Sequence, residues 1–187
     1  MATPYAKLRA VLRMRKHGID VPRVAYEEAR SAGLELAVLC AVLEQETGGG
    51  RNVWGHDRDS DGKRIGPLRG GWRLDEGMGE SGEVTEEGYR EYRRFRDARG
   101  RPPYGRMQGV GPMQLTWYSY QNLADSYGGC WSPRYNVRVG AEILARAIKK
   151  SGLHQALWQY NGNESYADAV EKRVEKWRRI LALALLT

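Results

Sequence analysis

The sequence predicts a mainly α-helical chain that carries a loop-rich insertion lobe at about residues 51–108. On both sides of that stretch, apolar residues recur at helical spacing, and the periodic segments end at glycines. The stretch itself is rich in Gly, Asp and Arg and poor in aliphatic residues, a composition typical of loops with room for small β-strands. A length of 187 residues fits a single domain over 1–187.

Two helices are predicted before the lobe. The first begins near Pro22 and stops at Gly33. The second runs from Leu34 to about Thr47, ends at Gly48 and is apolar on nearly every side. Such a segment is typical of a helix at the centre of a core.

One short polar helix is predicted within the lobe. Thr85 can cap its first turn, and Tyr89, Tyr92 and Phe95 then fall on one face. No sequence signal fixes the positions of strands in this lobe.

Four further helices are predicted after the lobe. One follows Thr116, one begins at Pro133, one ends at Gly162, and the last begins at about Ser165. The last of them repeats apolar residues at spacings of three and four, which predicts one buried face. Those residues are Tyr166, Val170, Val174, Trp177, Leu181 and Ala184.

Composition and charge narrow the function classes. Hydrophobic residues make up 41% and charged residues 28% of the chain, which argues against disorder and against a membrane protein. The net charge of +7 and the pI of about 9.5 attract anionic polymers, such as nucleic acid or bacterial wall polymers. Because the basic residues are spread along the chain without a nucleic-acid-binding motif, we expect no nucleic-acid partner and no membrane insertion.

The cysteines and the N-terminal segment exclude further classes. Cys40 and Cys130 are too few for a disulfide framework, and Cys40 lies in an apolar helix as a buried hydrophobe. The histidines have no metal-ligand spacing with these cysteines, which disfavours a zinc amidase or a Cys-His peptidase. The first residues hold no continuous apolar stretch before a small-residue cleavage site, so we expect no secretory signal.

Glu46 is the candidate general acid. It lies in the last turn of the apolar second helix, where desolvation and the negative end of the helix dipole both raise a carboxyl pKa. A general acid that works near neutral pH needs such a pKa. Glu44 lies about 200° away around the helix axis and cannot pair with it. A solvated surface carboxylate is the alternative interpretation of Glu46.

Three short segments occur in the order found in one known family. They are "QET" at 45–47, "GVGPMQLT" at 109–116 and "YNG" at 160–162. From about Val21 to Trp177, the chain resembles the lytic transglycosylases of the lysozyme-like superfamily. "WGHD" at 54–57 resembles a segment of phage endolysins and tail-associated lysins.

This resemblance implies a lysozyme-like fold and a set of site residues. It makes Glu46 the catalytic acid and gives Thr47 the place of the family's usual serine. The residues implied to contact the substrate are Thr47, Gln114, Tyr160, Asn161 and Tyr166. For Tyr166 three interpretations stay open: packing against a sugar ring, ordering Glu46, or a place in the core.

The implied activity is cleavage of peptidoglycan between N-acetylmuramic acid and N-acetylglucosamine by a lytic transglycosylase. A muramidase on the same fold and a non-catalytic wall-binding phage protein are the alternatives. The implied enzyme needs no cofactor, and we expect a monomer. Without a secretory signal, a phage enzyme made in the host cytoplasm would reach the wall through a holin or on a virion.

One further motif is "DRDSDG" at 57–62. Asp57, Asp59 and Asp61 alternate as in the first half of a calcium loop, but Leu68 stands where the bidentate Glu belongs. An Asp-rich turn and a calcium site are both open interpretations. Asp57 is also the best candidate for a second carboxylate if the enzyme hydrolyses with water.

Overall fold

The computed structural model describes residues 4–55, 82–98 and 106–182. Helices hold 73% of these residues, so the prediction of a mainly α chain is confirmed. The elements are α1 (Pro4–Lys16), α2 (Pro22–Ala32), α3 (Leu36–Thr47), α4 (Glu86–Ala98), β1 (Arg106–Val110), β2 (Leu115–Trp117), α5 (Tyr118–Tyr127), α6 (Pro133–Ser151), α7 (Leu153–Asn161) and α8 (Glu164–Ala182). No helix in the described ranges combines the length and apolar character needed to cross a membrane.

The chain divides into two compact units. The first unit joins Met1–Arg51 to Val137–Thr187, and the second unit is Asn52–Asn136. The second unit starts where the predicted lobe starts but extends past the predicted end at Gln108. It extends further because β2 and α5 follow β1 directly and belong to the same compact body.

α3 is the central helix of the first unit. Every residue from Ala37 to Leu43 is buried, as expected of a segment that is apolar all round. α3 packs against α2 and α8, and α8 also packs against α7. The predicted face of α8 is confirmed at Tyr166, Val170, Val174 and Trp177, which are all buried. Leu181 is partly exposed, and Ala184 lies outside the described residues.

The predicted helix stops before the lobe are confirmed. Gly33 follows α2 with φ 66°, and Gly48 follows α3 with φ 67°. These values lie in the left-handed region, where a glycine ends a helix without steric cost. α3 therefore ends at Thr47, three residues after Glu44 and one after Glu46, so both carboxylates lie in its last turn.

α1 was not predicted, since the first helix expected from the sequence starts at Pro22. Its apolar residues are divided between two sides of the helix. Val11 and Met14 are buried, whereas Leu8 and Leu12 are exposed. A sequence with apolar residues on two faces lacks the single stripe by which an amphipathic helix is recognised.

The second unit contains the two strands, whose positions no sequence signal fixed. β1 and β2 are antiparallel, with Val110 paired to Leu115. The predicted cap of α4 is confirmed, because the Gly88 amide donates to Thr85 Oγ1 at 3.1 Å. Tyr89 and Tyr92 on the predicted face are buried.

A buried polar network connects α4 to α5 in the second unit. The Arg96 guanidinium is fully buried and donates from Nη2 to Asp125 Oδ2 at 2.9 Å. The Tyr89 hydroxyl and the Cys130 amide donate to the other oxygen of Asp125. Because both charged groups are paired and hydrogen-bonded, the network avoids the cost of an isolated buried charge.

Candidate active site

Glu46 lies in the last turn of α3, and its side chain is partly exposed. The Tyr166 hydroxyl donates a hydrogen bond to Glu46 Oε1 at 2.5 Å. Tyr166 lies in the first turn of α8 and is buried, with 7% of its surface exposed. One carboxylate that solvent can reach is therefore held by a phenol from a neighbouring helix of the same unit.

The pKa of Glu46 is raised to about 7. Burial is the main cause, and the hydrogen bond from Tyr166 opposes it in part. The negative end of the α3 helix dipole also raises the pKa of Glu46, as burial does. At neutral pH both protonation states of Glu46 are then populated, so the group can give and take back a proton.

Tyr166 stays protonated in this arrangement. Burial and the neighbouring charge of Glu46 raise the pKa of its phenol, and Tyr160 adds to the shift. A protonated phenol can only donate to the carboxylate, and it fixes the orientation of that group. Of the three interpretations left open for Tyr166, the geometry supports two together: the ring is buried in the core, and the hydroxyl orders Glu46.

Glu44 has the opposite environment on the same helix. Its carboxylate accepts hydrogen bonds from Lys176 Nζ at 2.9 Å and from Trp177 Nε1 at 2.7 Å. Burial alone raises the pKa of Glu44, but these hydrogen bonds and the charges of Lys176 and Arg173 outweigh it, so the pKa is lowered. Glu44 is thus an ionised structural group, which makes Glu46 the one suited to proton transfer.

No family model matches the chain, and searches of curated proteins and of solved structures also found no match. The resemblance to lytic transglycosylases therefore depends on the three motifs, and the chemistry depends on the geometry of the site.

Thr47 has a structural position beside Glu46. It is buried, its hydroxyl donates to the Leu43 carbonyl at 3.4 Å, and the same oxygen accepts from the Gly50 amide at 3.1 Å. These bonds fold the chain back directly after α3. The contact of Thr47 with a glycan stays a prediction.

Gln114 lies in the second unit and holds the turn between β1 and β2. Its Nε2 donates to the carbonyls of Val53 and Gly111, at 3.0 and 2.9 Å. Its φ is 47°, a rare value for a residue with a side chain. Its Oε1 lies 2.6 and 2.7 Å from where a Cβ on Gly55 and on Gly109 would be, so a larger residue at either position would displace the Gln114 side chain. Glycan binding by Gln114 stays a prediction.

Tyr160 and Asn161 end α7 in the same unit as Glu46. Gly162 closes the helix with φ 86°, and Asn161 is exposed. Tyr160 is close enough to Tyr166 to affect its ionisation. The structure thus brings Glu46, Tyr166 and Tyr160 together. Asn161, which follows Tyr160 in the chain, is exposed to solvent.

The predicted calcium ligands Asp57, Asp59 and Asp61 lie outside the described residues. Within those residues, ligand atoms of His154, Asp168 and Glu171 lie within 4.8 Å of one another. This group was not found from the sequence, because its members belong to two different helices.

The geometry of His154 favours an ion pair over a metal site. Its Nδ1 lies 3.1 Å from Glu171 Oε2, and its Nε2 lies 2.8 Å from Glu164 Oε1. Hydrogen bonds from Glu164 and Glu171 raise the pKa of His154 to about 9. Both ring nitrogens then carry protons at neutral pH and donate to the two carboxylates.

A pocket also lies on the first unit, lined by apolar residues such as Leu34 and Val38 and by charged residues that include Glu35, Glu142 and Arg178. The Glu35 carboxylate accepts hydrogen bonds from Nε and Nη2 of Arg178, at 2.7 Å each. Those hydrogen bonds lower the pKa of Glu35. Since an ionised, paired carboxylate is a poor proton donor, Glu35 is less suited to acid chemistry than Glu46.

Proposed function

We propose that this protein cleaves peptidoglycan glycan strands between N-acetylmuramic acid and N-acetylglucosamine, with Glu46 as the catalytic acid. The observation that carries the proposal is a partly exposed carboxyl whose pKa is raised to about 7 and which Tyr166 orients. A strongly shifted carboxyl that solvent reaches is typical of a functional group.

The chemistry follows from that single carboxyl. Protonated Glu46 donates to the glycosidic oxygen while positive charge develops on the muramic acid ring. The leaving sugar departs with that proton, and ionised Glu46 then accepts the proton of the substrate's own primary hydroxyl as an anhydro ring closes. Tyr166 keeps the carboxylate in place through both steps.

A lytic transglycosylase is preferred to a muramidase within this proposal. A hydrolase of this type commonly uses a second carboxylate, and the sequence offers no clear one. Its best candidate, Asp57, lies outside the described residues. The ordered motifs with Gln114 and the Tyr160–Asn161 pair support a glycan as the substrate. The resemblance of "WGHD" to phage lysins supports a bacteriolytic phage enzyme delivered by a holin or on a virion.

The test of catalysis is the loss of turbidity of purified bacterial walls. We expect wild type to clear the suspension and Glu46→Gln to clear it about 10²–10⁴ times more slowly, the usual contribution of a general acid. Glu44→Gln is the matched control, because it removes a carboxylate from the same helix without touching Glu46. Equal clearing by wild type and Glu46→Gln would rule out the assignment.

The products distinguish the remaining candidates. Mass spectrometry of digested walls is expected to find anhydro-muramic ends, whereas reducing muramic ends would identify a muramidase. Binding of wild type to walls without any cleavage would identify a non-catalytic wall-binding protein.

A further inference from the structure

α1 has two apolar faces, and the described residues of the protein cover only one of them. Val11 and Met14 are buried where α1 packs on α2 and α8. Tyr5, Leu8 and Leu12 are exposed at 75%, 52% and 56%. At about 100° per residue, these three side chains fall within an arc of about 60° and form one stripe. We call this stripe the outer face of α1.

Basic side chains border the outer face on both sides. At the same helical pitch, Arg15 falls on one border, and Arg9 and Lys16 fall on the other. α1 carries five basic residues and no acidic one. The Lys7–Glu27 ion pair, at 2.8 Å, lies about 130° around the helix from the centre of the outer face. This ion pair therefore does not neutralise the basic residues that border the outer face.

We propose that the outer face of α1 binds the surface of an anionic lipid bilayer. Exposed leucines gain free energy only where they leave water, so the partner must offer an apolar phase. The flanking cations select a partner whose surface is negative. An anionic bilayer supplies both within a few ångströms, whereas a nucleic acid or an anionic wall polymer offers charge without an apolar phase.

The contact is peripheral. α1 has 13 residues, and a helix needs about 20 to span the hydrocarbon layer. α1 therefore lies in the plane of the headgroups, with its outer face turned to the acyl chains and its buried face still packed on α2 and α8. This inference goes beyond glycan cleavage and does not depend on it.

The first test is co-sedimentation of the full chain with vesicles. We expect binding to vesicles that mix phosphatidylcholine with phosphatidylglycerol and little binding to phosphatidylcholine alone. Leu8→Ser combined with Leu12→Ser should weaken binding by at least ~10-fold, because both side chains lose their apolar transfer. Arg9→Gln combined with Arg15→Gln should weaken it and reduce its dependence on salt.

Lys149→Gln combined with Lys150→Gln is the matched charge control. It removes two exposed positive charges from the end of α6, away from α1 in the chain. We expect this variant to bind within about 2-fold of wild type, since only charges close to the membrane surface contribute strongly. All substituted residues are surface residues, and unchanged circular dichroism and thermal unfolding would confirm that the variants fold.

A fluorescent label reports which face meets the lipid. Cys40 and Cys130 are both buried, with thiol pKa values raised by burial, so a maleimide dye reacts selectively with an exposed new thiol. An environment-sensitive dye on Leu8→Cys should brighten with anionic vesicles. The same dye on Lys150→Cys should not.

Three outcomes would overturn the proposal. The first is no binding of wild type to the anionic vesicles. The second is equal loss of binding in the Arg9/Arg15 variant and in the Lys149/Lys150 control. That result would mean that the net charge of the protein, and not the outer face of α1, causes vesicle binding. The third is self-association of wild type that the Leu8/Leu12 variant abolishes without any vesicle binding, which would assign the outer face to a second copy.

Discussion

The hydroxyl of Tyr166 lies 2.5 Å from Oε1 of Glu46, and this hydrogen bond joins the first turn of α8 to the last turn of α3. The two residues are 120 positions apart in the chain. The bond lowers the Glu46 pKa against the larger effect of burial, so the acid strength of Glu46 is set by a balance between them.

The pH dependence of cleavage should report this balance. Activity needs protonated Glu46, so we expect it to fall as the pH rises through about 7. Tyr166→Phe removes the interaction that lowers the pKa, so the falling limb should move to higher pH. The measurements are a pH–rate profile on walls and a carbon-13 NMR titration of Glu46, which needs no activity.

Tyr92→Phe is the control for that experiment, since Tyr92 is a buried tyrosine of the second unit that bonds to Gln121. We expect its falling limb to coincide with that of wild type. A limb that stays in place in Tyr166→Phe would contradict the role given to Tyr166.

Glu46→Gln should make the protein more stable above neutral pH. The folded pKa of about 7 is higher than the ordinary value of 4.5, so the protonated carboxyl stabilises the fold below pH 4.5. That contribution is lost as the pH rises to about 7, and an uncharged Gln does not lose it. We expect a gain of up to about 3 kcal/mol at pH 8 and none near pH 4. Urea unfolding at the two pH values measures it, and a destabilised variant at pH 8 would contradict the raised pKa.

Glu44→Gln should have the opposite effect. The folded pKa of Glu44 is lowered, so its contribution is present above pH 4.5 and is lost as the pH falls through the lowered value. Because the group is partly exposed, we expect a loss of about 1–2 kcal/mol at pH 8, from weakened hydrogen bonds to Lys176 and Trp177. The same urea series measures it, and wall cleavage should persist. A variant that unfolds like wild type at pH 8 would show that the bonds contribute nothing.

Gly49→Ala should disrupt the turn that follows α3. Gly49 has φ 129°, and a Cβ there would lie 1.9 Å from the Gly18 carbonyl oxygen. Backbone cannot move aside as a side chain can, so we expect a loss of more than about 2 kcal/mol in thermal or urea unfolding. Gly33→Ala is the control, with φ 66° and open space around its Cβ, and should cost only about 1 kcal/mol. Equal losses in the two variants would show that the contact with Gly18 is relieved.

Arg96→Met should destabilise the second unit strongly. It removes the buried cation from the carboxylate of Asp125, whose side chain is 3% exposed, and leaves only the exposed Arg93 nearby. We expect a loss of about 3–5 kcal/mol, the usual result of removing one partner of a buried pair. Arg93→Met is the control, because Arg93 is 50% exposed and lies 3.5 Å from the same carboxylate.

The exposed Arg93–Asp125 pair should contribute no more than about 1 kcal/mol to the free energy of unfolding. Hydrogen exchange of α4 and α5 amides locates both effects in the second unit. Similar losses in the two variants would place the stabilising charge on the surface rather than in the network.

The sequence by itself determined the helices with one apolar face and their ends. Pro22, Gly33, Gly48 and Pro133 act through local backbone geometry, so they mark boundaries without knowledge of the fold. α1 was missed because Leu8 and Leu12 give it a second apolar face that the fold does not bury. The position of Glu46 at the end of a buried helix was also readable, since it depends only on the local pattern.

Tertiary structure decided the chemistry of the carboxylates. Glu44 and Glu46 are two acids on one helix, and their different burial together with the contacts from α8 moves their pKa values in opposite directions. α8 presents Lys176 and Trp177 to the first and a single phenol to the second. The pairing of Arg96 with Asp125 and the pairing of His154 with Glu171 were equally hidden. A pKa depends on which groups lie within a few ångströms, and packing between distant segments, rather than local sequence, decides that.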